Sequence, residues 1–321
     1  MTTINVEHKS ITNLENFPIM FFTVIMGFSG LTMSYEKLDN IFHISNVIFE
    51  ILKYFTTILF FMISGFYLAK FIKYPKAVKE EFSHPIKINF FAAFSISVLL
   101  ISNLWSKHAL IYNTFFYTGM VVQTFLTFYV ISFWINNNLS INASNPSWFM
   151  PIVGNLVIVS AARESSHYLW YFFSIGMFFW IVLFTIIFYR IIFHDQLAQK
   201  FMPTLFITIA PPSIAFGDYE KLSSNFDNFS FVFLSLSIFF TALILFMYKN
   251  FIKLEFFLSW WAFTFPVAVA CKAFLKAYEI TGDTFFIVIG LLAFLALLIL
   301  ICIVTYETLK SLIKGEVSVF G

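Results

Sequence analysis

Apolar residues run along this chain in blocks of about 20, the length a helix needs to cross a bilayer, and short polar stretches separate them. The blocks predict ten spans, at 17–35, 47–71, 87–104, 110–134, 148–162, 170–193, 202–217, 229–248, 256–278 and 284–309. The fifth and seventh are only about 15 residues long. At 1.5 Å per residue each reaches roughly 22 Å, short of a ~30 Å hydrocarbon core. Both begin near a proline, Pro151 and Pro203. Short, proline-broken segments suit the interior of a helix bundle better than its lipid face. The longest connection, 135–147, is rich in Asn and Ser and has no Lys or Arg. The expected fold is therefore an all-α polytopic membrane protein, a single transmembrane domain over 1–321. Residues 1–16 and 310–321 are expected as cytoplasmic tails.

Composition supports this class. Hydrophobic residues make up 60% of the chain and charged residues 11%, and the mean hydropathy is +0.86. No soluble domain of this size is so poor in charge. The 48 phenylalanines accompany many Lys, Asn and Ile residues, a genome-wide bias that by itself carries no function. Residues 1–16 lack the basic stretch and cleavage site of a signal peptide, so the first span is expected to be retained. If the Lys-rich loop after span two is cytoplasmic, twelve of the 19 Lys and Arg lie on that side and seven on the other. Both termini then lie inside, by the bias of cytoplasmic loops toward Lys and Arg. The expected site is the bacterial inner (plasma) membrane.

The placement of chemistry excludes several classes. All six histidines and essentially all acidic residues fall in predicted loops or at span ends. No carboxylate, histidine or lysine is predicted near a span centre, where a charge costs about 2.5–3.5 kcal/mol and is usually kept for function. Cys271 and Cys302 lie in apolar spans and read as small filler, with no Cys/His metal pattern. The chain is thus expected to be no enzyme, to hold no cofactor or metal and to bind no nucleic acid. An uncharged conduit through the bilayer remains.

Proline placement gives that conduit a shape. Six of the nine prolines (Pro18, Pro151, Pro203, Pro211, Pro212 and Pro266) fall in odd-numbered spans, and no even-numbered span has one. A proline inside a spanning helix removes an N–H and bends the axis. Lipid tolerates this only where protein or a water-filled cavity surrounds the bend. Five hairpins would satisfy the pattern, each giving one bent helix to an inner ring and one straight helix to an outer ring, around a central pore. The alternative is that the prolines only open helices, which suits Pro18, Pro151 and Pro203 better than Pro211, Pro212 and Pro266.

Span nine supplies a candidate plug. Phe263 and Phe265 flank Thr264 just before Pro266. Two residues apart, they point to nearly opposite faces, so only one can face a lumen. Phe265, beside the bend, is favoured; the alternative is that both rings pack against neighbouring helices. At the far ends of odd spans, Arg163, Lys272 and Lys276 form a possible anion-attracting mouth. Glu164, Glu279 and Asp283 lie near enough to cancel it.

Several motifs together resemble the tellurite-resistance/dicarboxylate transporter (TehA) family, which includes the plant slow-type guard-cell anion channels. They are Phe17-Pro18 with Met26-Gly27-Phe28-Ser29-Gly30, Phe82-Ser83-His84-Pro85, Asn145-Pro146-Ser147-Trp148-Phe149-Met150-Pro151 with Gly154, Met202-Pro203 with Ala210-Pro211-Pro212-Ser213, and Ser259-Trp260-Trp261-Ala262-Phe263-Thr264-Phe265-Pro266. The resemblance implies a homotrimer in which each protomer has its own pore of five hairpins. It implies that a span-nine phenylalanine closes the pore, a role that falls by local motif on Phe265, with Phe263 as the alternative. It implies pore kinks at Pro151, Pro211, Pro212 and Pro266. The small residues of the motifs, Gly27, Gly30 and Gly154, are expected to line the pore. Span three has no internal proline, so any kink there needs another cause. The implied activity is passive passage of small inorganic anions such as chloride or nitrate. Other family members imply the alternative of a secondary carrier for small oxyanions or dicarboxylates.

Overall fold

In the computed structural model, residues 13–315 are described. Most of the expected N-terminal tail, with His8 and Lys9, and half of the C-terminal one lie outside them. The described residues are helical, with no strand among them. The α-helices are α1 (Phe22–Phe42), α2 (Asn46–Lys73), α3 (Pro75–Ser83), α4 (Phe91–Leu104), α5 (Ala109–Asn136), α6 (Met150–Ala161), α7 (His167–Phe193), α8 (Ala210–Ser223), α9 (Asn228–Phe246), α10 (Lys249–Ile252), α11 (Thr264–Thr281) and α12 (Thr284–Lys314). Eight helical stretches are long and apolar enough to cross a membrane; the stretch Pro146–Ala161 is apolar but shorter. The expected fifth and seventh spans are the two that fall short.

Two kinds of helix alternate. α2, α5, α7, α9 and α12 are unbroken, and only 22–33% of their apolar windows is buried. The first, third and ninth expected spans are 78–94% buried over the same window length. Each of the five odd segments is also compound: a 3-10 stretch leads into an α-helix. The 3-10 stretches are Ile19–Phe21, Lys87–Phe90, Pro146–Phe149, Gln199–Ile209 and Leu258–Phe263, running into α1, α4, α6, α8 and α11.

Four of the six in-span prolines sit at these joints, while Pro18 precedes the first 3-10 stretch and Pro203 lies within the fourth. Pro151 and Pro211 lie in the first two positions of α6 and α8, Pro212 follows directly, and Pro266 lies in the first turn of α11. The first turn of an α-helix has N–H groups without intrahelical partners, so proline loses little there. The prolines therefore start the second, α-helical part of each inner segment rather than interrupt a continuous α-helix. The joint in span three forms without one: Pro85 precedes the 3-10 stretch, and His84 Nδ1 accepts the N–H groups of Ile86 and Lys87 at 3.1 and 3.3 Å.

Packing follows the same alternation. Each inner helix packs on the outer helix that follows it, as α1 on α2, α4 on α5, α6 on α7, α8 on α9 and α11 on α12. The inner helices also contact one another in a closed cycle, α1–α4–α6–α8–α11–α1. Three pairs share one device, a leucine of the inner helix against a glycine of the outer: Leu99 on Gly119, Leu156 on Gly176 and Leu275 on Gly290. The other two pairs place hydroxyls together instead, Thr32 with Thr56 at 3.4 Å and Ser213 with Ser237 at 2.7 Å. Without a hydrophobic drive between helices in lipid, small residues and interhelical hydrogen bonds supply the association.

Candidate functional site

Where the 3-10 and α segments join, the five inner elements enclose an apolar cavity of about 30 Å³. Every one contributes: Met20 and Thr23, Phe90 and Ile96, Met150 and Val153, Ile207 and Ala210, and from the last Trp261, Phe265 and Pro266. The Thr23 hydroxyl donates to Met20 O at 2.6 Å, and that of Ser259, also on the wall, donates to Lys200 O at 2.7 Å. Both donors are spent on backbone, so neither can replace the hydration shell of an ion. An apolar void of this size holds one or two waters at most and tends to stay dry.

Phe265 borders this cavity and Phe263 does not. The two rings are equally buried, at 4% exposure each, so burial does not separate them. Phe263 instead packs outward among aromatics, 4.5 Å from Phe206, 5.7 Å from Trp260 and 5.9 Å from Phe251 between ring centroids.

The expected small pore-lining residues are placed otherwise. Gly27, Gly30 and Gly154 border neither this cavity nor the chamber described below. A β-carbon on Gly27 would lie 2.5 Å from Thr264 Oγ1, and one on Gly30 would lie 2.6 Å from Ala268 Cβ. These two glycines let α11 and its 3-10 stretch close on α1, which brings Phe265 to the cavity wall. Gly154 makes room for the side-chain amide of Gln123 on α5. All three stand at close helix contacts.

Gln123 is fully buried on an outer helix. Its Nε2 donates to Pro151 O at 2.7 Å, and its Oε1 accepts the Ser95 hydroxyl at 2.6 Å. Pro151 O also accepts from Thr127 and Asn155. This network ties α4, α5 and α6 together at the fifth-span joint.

Further along the same inner helices lies a chamber of about 300 Å³ with mixed polar walls. On α1 it begins at Met33, seven residues past Met26 of the smaller cavity, or roughly 10 Å of helix rise. The chamber carries four lysines (Lys37, Lys221, Lys272 and Lys276) and three carboxylates (Glu36, Asp218 and Glu220). Lys276 pairs with Glu220 at 3.2 Å. Lys37 pairs with Glu279. Lys221 Nζ donates to the carbonyls of Val159, Ser160 and Ala162 at 2.7–3.0 Å, closing the C-terminal end of α6, where a cation is favoured.

Of the expected mouth residues, Lys272 and Lys276 are on this wall and Arg163 is not. The Arg163 guanidinium lies 3.8 Å from the Tyr112 ring centroid, turned to the outer helix α5. Exposed at the end of a short helix, it finds an aromatic face rather than the chamber. Glu36, Lys37, Asp218 and Lys221 were not expected here. Predicted spans one and seven stopped at Tyr35 and Gly217, just before these charges, but α1 runs on to Phe42 and α8 to Ser223. An apolar window ends at the first charge; a helix facing a polar chamber does not.

The chain matches the SLAC1 family, voltage-dependent anion channel, over residues 16–309. It belongs to that family of membrane anion channels and transporters. Among relatives, the S-type anion channel SLAH2 of Arabidopsis thaliana is 30% identical over 86% of this chain and 56% of its own length. The uncharacterized transporter MJ0762 of Methanocaldococcus jannaschii is 24% identical, over 94% of this chain and 97% of its own. The tellurite resistance protein TehA homolog of Haemophilus influenzae is 24% identical, over 97% and 95%. The chain therefore spans about half the length of the plant relative and nearly all of the microbial ones.

Proposed function

We propose that the protein is a passive channel for small inorganic anions, with ten spans forming five hairpins around one pore per protomer and Phe265 as the gate. The observation that carries this reading is the apolar cavity walled by all five inner segments, with the Phe265 ring on its side and a lysine-bearing chamber further along the same helices. An anion entering such a constriction would lose its water and find no donor in exchange. Hydrophobic constrictions of this kind block ions by dewetting. The names of the plant relatives, S-type anion channels, agree with chloride- or nitrate-like substrates. The resemblance further supports a homotrimer in the inner (plasma) membrane with both termini in the cytoplasm. Native mass spectrometry of the detergent-purified protein should give three copies, and a monomer would remove that part of the proposal.

The test of the gate is Phe265→Ala in proteoliposomes or planar bilayers. Removing the ring widens and wets the constriction. A barrier lowered by only ~1.4 kcal/mol raises a rate tenfold, so chloride conductance at least about tenfold above wild type is expected. Phe263→Ala should leave conductance near the wild-type level. The opposite ranking would move the gate to Phe263.

One observation favours a second reading, a secondary carrier of small oxyanions or dicarboxylates. Asp218 is a buried carboxylate on the chamber wall, and intramembrane carboxylates commonly serve coupled transport.

A further inference from the structure

Among the described residues, the chamber contains one lysine without an ion-pair partner, Lys272, and two carboxylates with free oxygens, the half-buried Glu36 and the fully buried Asp218; only at Asp218 is the unpartnered oxygen shut away from water. Among the described residues, Lys272 Nζ has only a 3.7 Å contact with Met33 Sδ. The other three chamber lysines are held by carboxylates or carbonyls. Asp218 is 1% exposed. Its Oδ1 accepts the Ser160 hydroxyl at 2.6 Å, and its Oδ2 is buried with no partner. A buried carboxylate oxygen without a donor is costly. Asp218 lines the chamber, and a carboxylate oxygen that is not spent on Ser160 can accept from a donor that reaches it there.

A bare anion can satisfy Lys272 but not Asp218, and it meets the carboxylate lone pairs as like charge. An anion that still carries an O–H can satisfy both: its charged oxygen accepts from Lys272, and its hydroxyl donates to Asp218. We propose that Asp218 and Lys272 form a donor–acceptor pair that selects monovalent oxyanions bearing a proton, such as hydrogencarbonate, over aprotic anions of the same charge and shape, such as nitrate. Asp218 is thereby a specificity-determining residue. It attracts through the ligand hydroxyl and repels anions that lack one, so discrimination has both an attractive and a repulsive part. This inference rests on the anion-conducting reading above.

Hydrogencarbonate and nitrate are suitable probes, because both are planar, monovalent and three-oxygen, and they differ by one O–H. Full-length protein is reconstituted in planar bilayers at neutral pH, as wild type and as Phe265→Ala. Reversal potentials count only the charged species, so uncharged carbon dioxide does not interfere. Permeability of hydrogencarbonate relative to nitrate is expected above one, by about two- to tenfold, the worth of one net hydrogen bond. Asp218→Asn replaces the paired acceptor oxygens by one acceptor and one donor, and should bring the ratio to one or below. Asp218→Ser, which removes the carboxylate altogether, should do the same, and chloride current in each variant reports that it is folded. A ratio at or below one in the parent would overturn the assignment. So would a ratio that neither Asp218 variant changes while chloride still passes. Absence of any anion current, including in Phe265→Ala, would overturn the conducting reading itself and this inference with it.

Discussion

His84 illustrates how much one side chain decides at a joint. Its unprotonated Nδ1 accepts two backbone N–H groups at the start of the second inner segment, where, as in the first, the α-helical part has no proline. Burial, and then the charges of Lys87 and Lys200, hold its pKa below the ordinary histidine value. A lowered pKa means the unfolded chain binds the proton more tightly. The stability it contributes is therefore present above about pH 6.5 and is lost as pH falls through the lowered value. Thermal unfolding in detergent should show a midpoint drop of the order of 1–2 °C on acidification that His84→Asn lacks. Equal drops in both proteins would assign the effect elsewhere. The sequence marked Phe82-Ser83-His84-Pro85 as a motif but gave no role to the histidine, because a cap is a matter of backbone direction and not of residue type. Phe265 was more legible. Its separation from Phe263 along a helix already required opposite faces, and the proline beside it favoured Phe265, the one of the two that borders the cavity. Gln123 was not legible, since an amide in a Phe- and Thr-rich outer helix has no periodic signature.

At the scale of helices, the legible part was the restriction of in-span prolines to odd-numbered spans, which are the compound buried ones; span three is compound and buried too but has no proline to mark it. The 3-10 stretches were hidden, because hydropathy is the same whether an apolar run coils with three or 3.6 residues per turn. The contact of Gly154 with Gln123 was hidden too: small residues mark close approach, but the sequence does not say to what. The two residues make a testable pair. Gln123→Ala removes the bonds to Ser95 and Pro151 and should cost about 0.6–1.7 kcal/mol, from the average to the maximum found for hydrogen bonds between membrane helices. Gly154→Ala keeps the amide but forces a β-carbon onto it, and should lower the unfolding midpoint further. The double variant should then be more stable than Gly154→Ala alone, because the clash needs both groups. Simple additivity of the two losses would mean that the glycine acts through something other than the amide.

For the whole molecule, the closed cycle of inner helices bears on how ions would move. Alternating access requires one bundle or repeat to rock against another around a central site. Here each inner helix is held by two inner neighbours and by its own outer partner, so no pair of halves is free to separate. A side chain on the cavity wall, such as Phe265, can move without disturbing that ring. Passage limited by one rotating or deleted ring should follow the anion gradient alone. In Phe265→Ala bilayers, current should rise with anion concentration without saturating, and at a fixed chloride gradient the reversal potential should stay put when a pH difference is imposed. Asp218 makes this a demanding test, because a buried carboxylate on the wall of the proposed path is the group through which protons could couple. A reversal potential that shifts with the pH difference in wild type, and stops shifting in Asp218→Asn, would assign the protein to the carriers and turn the same chamber from a selectivity site into a coupling site.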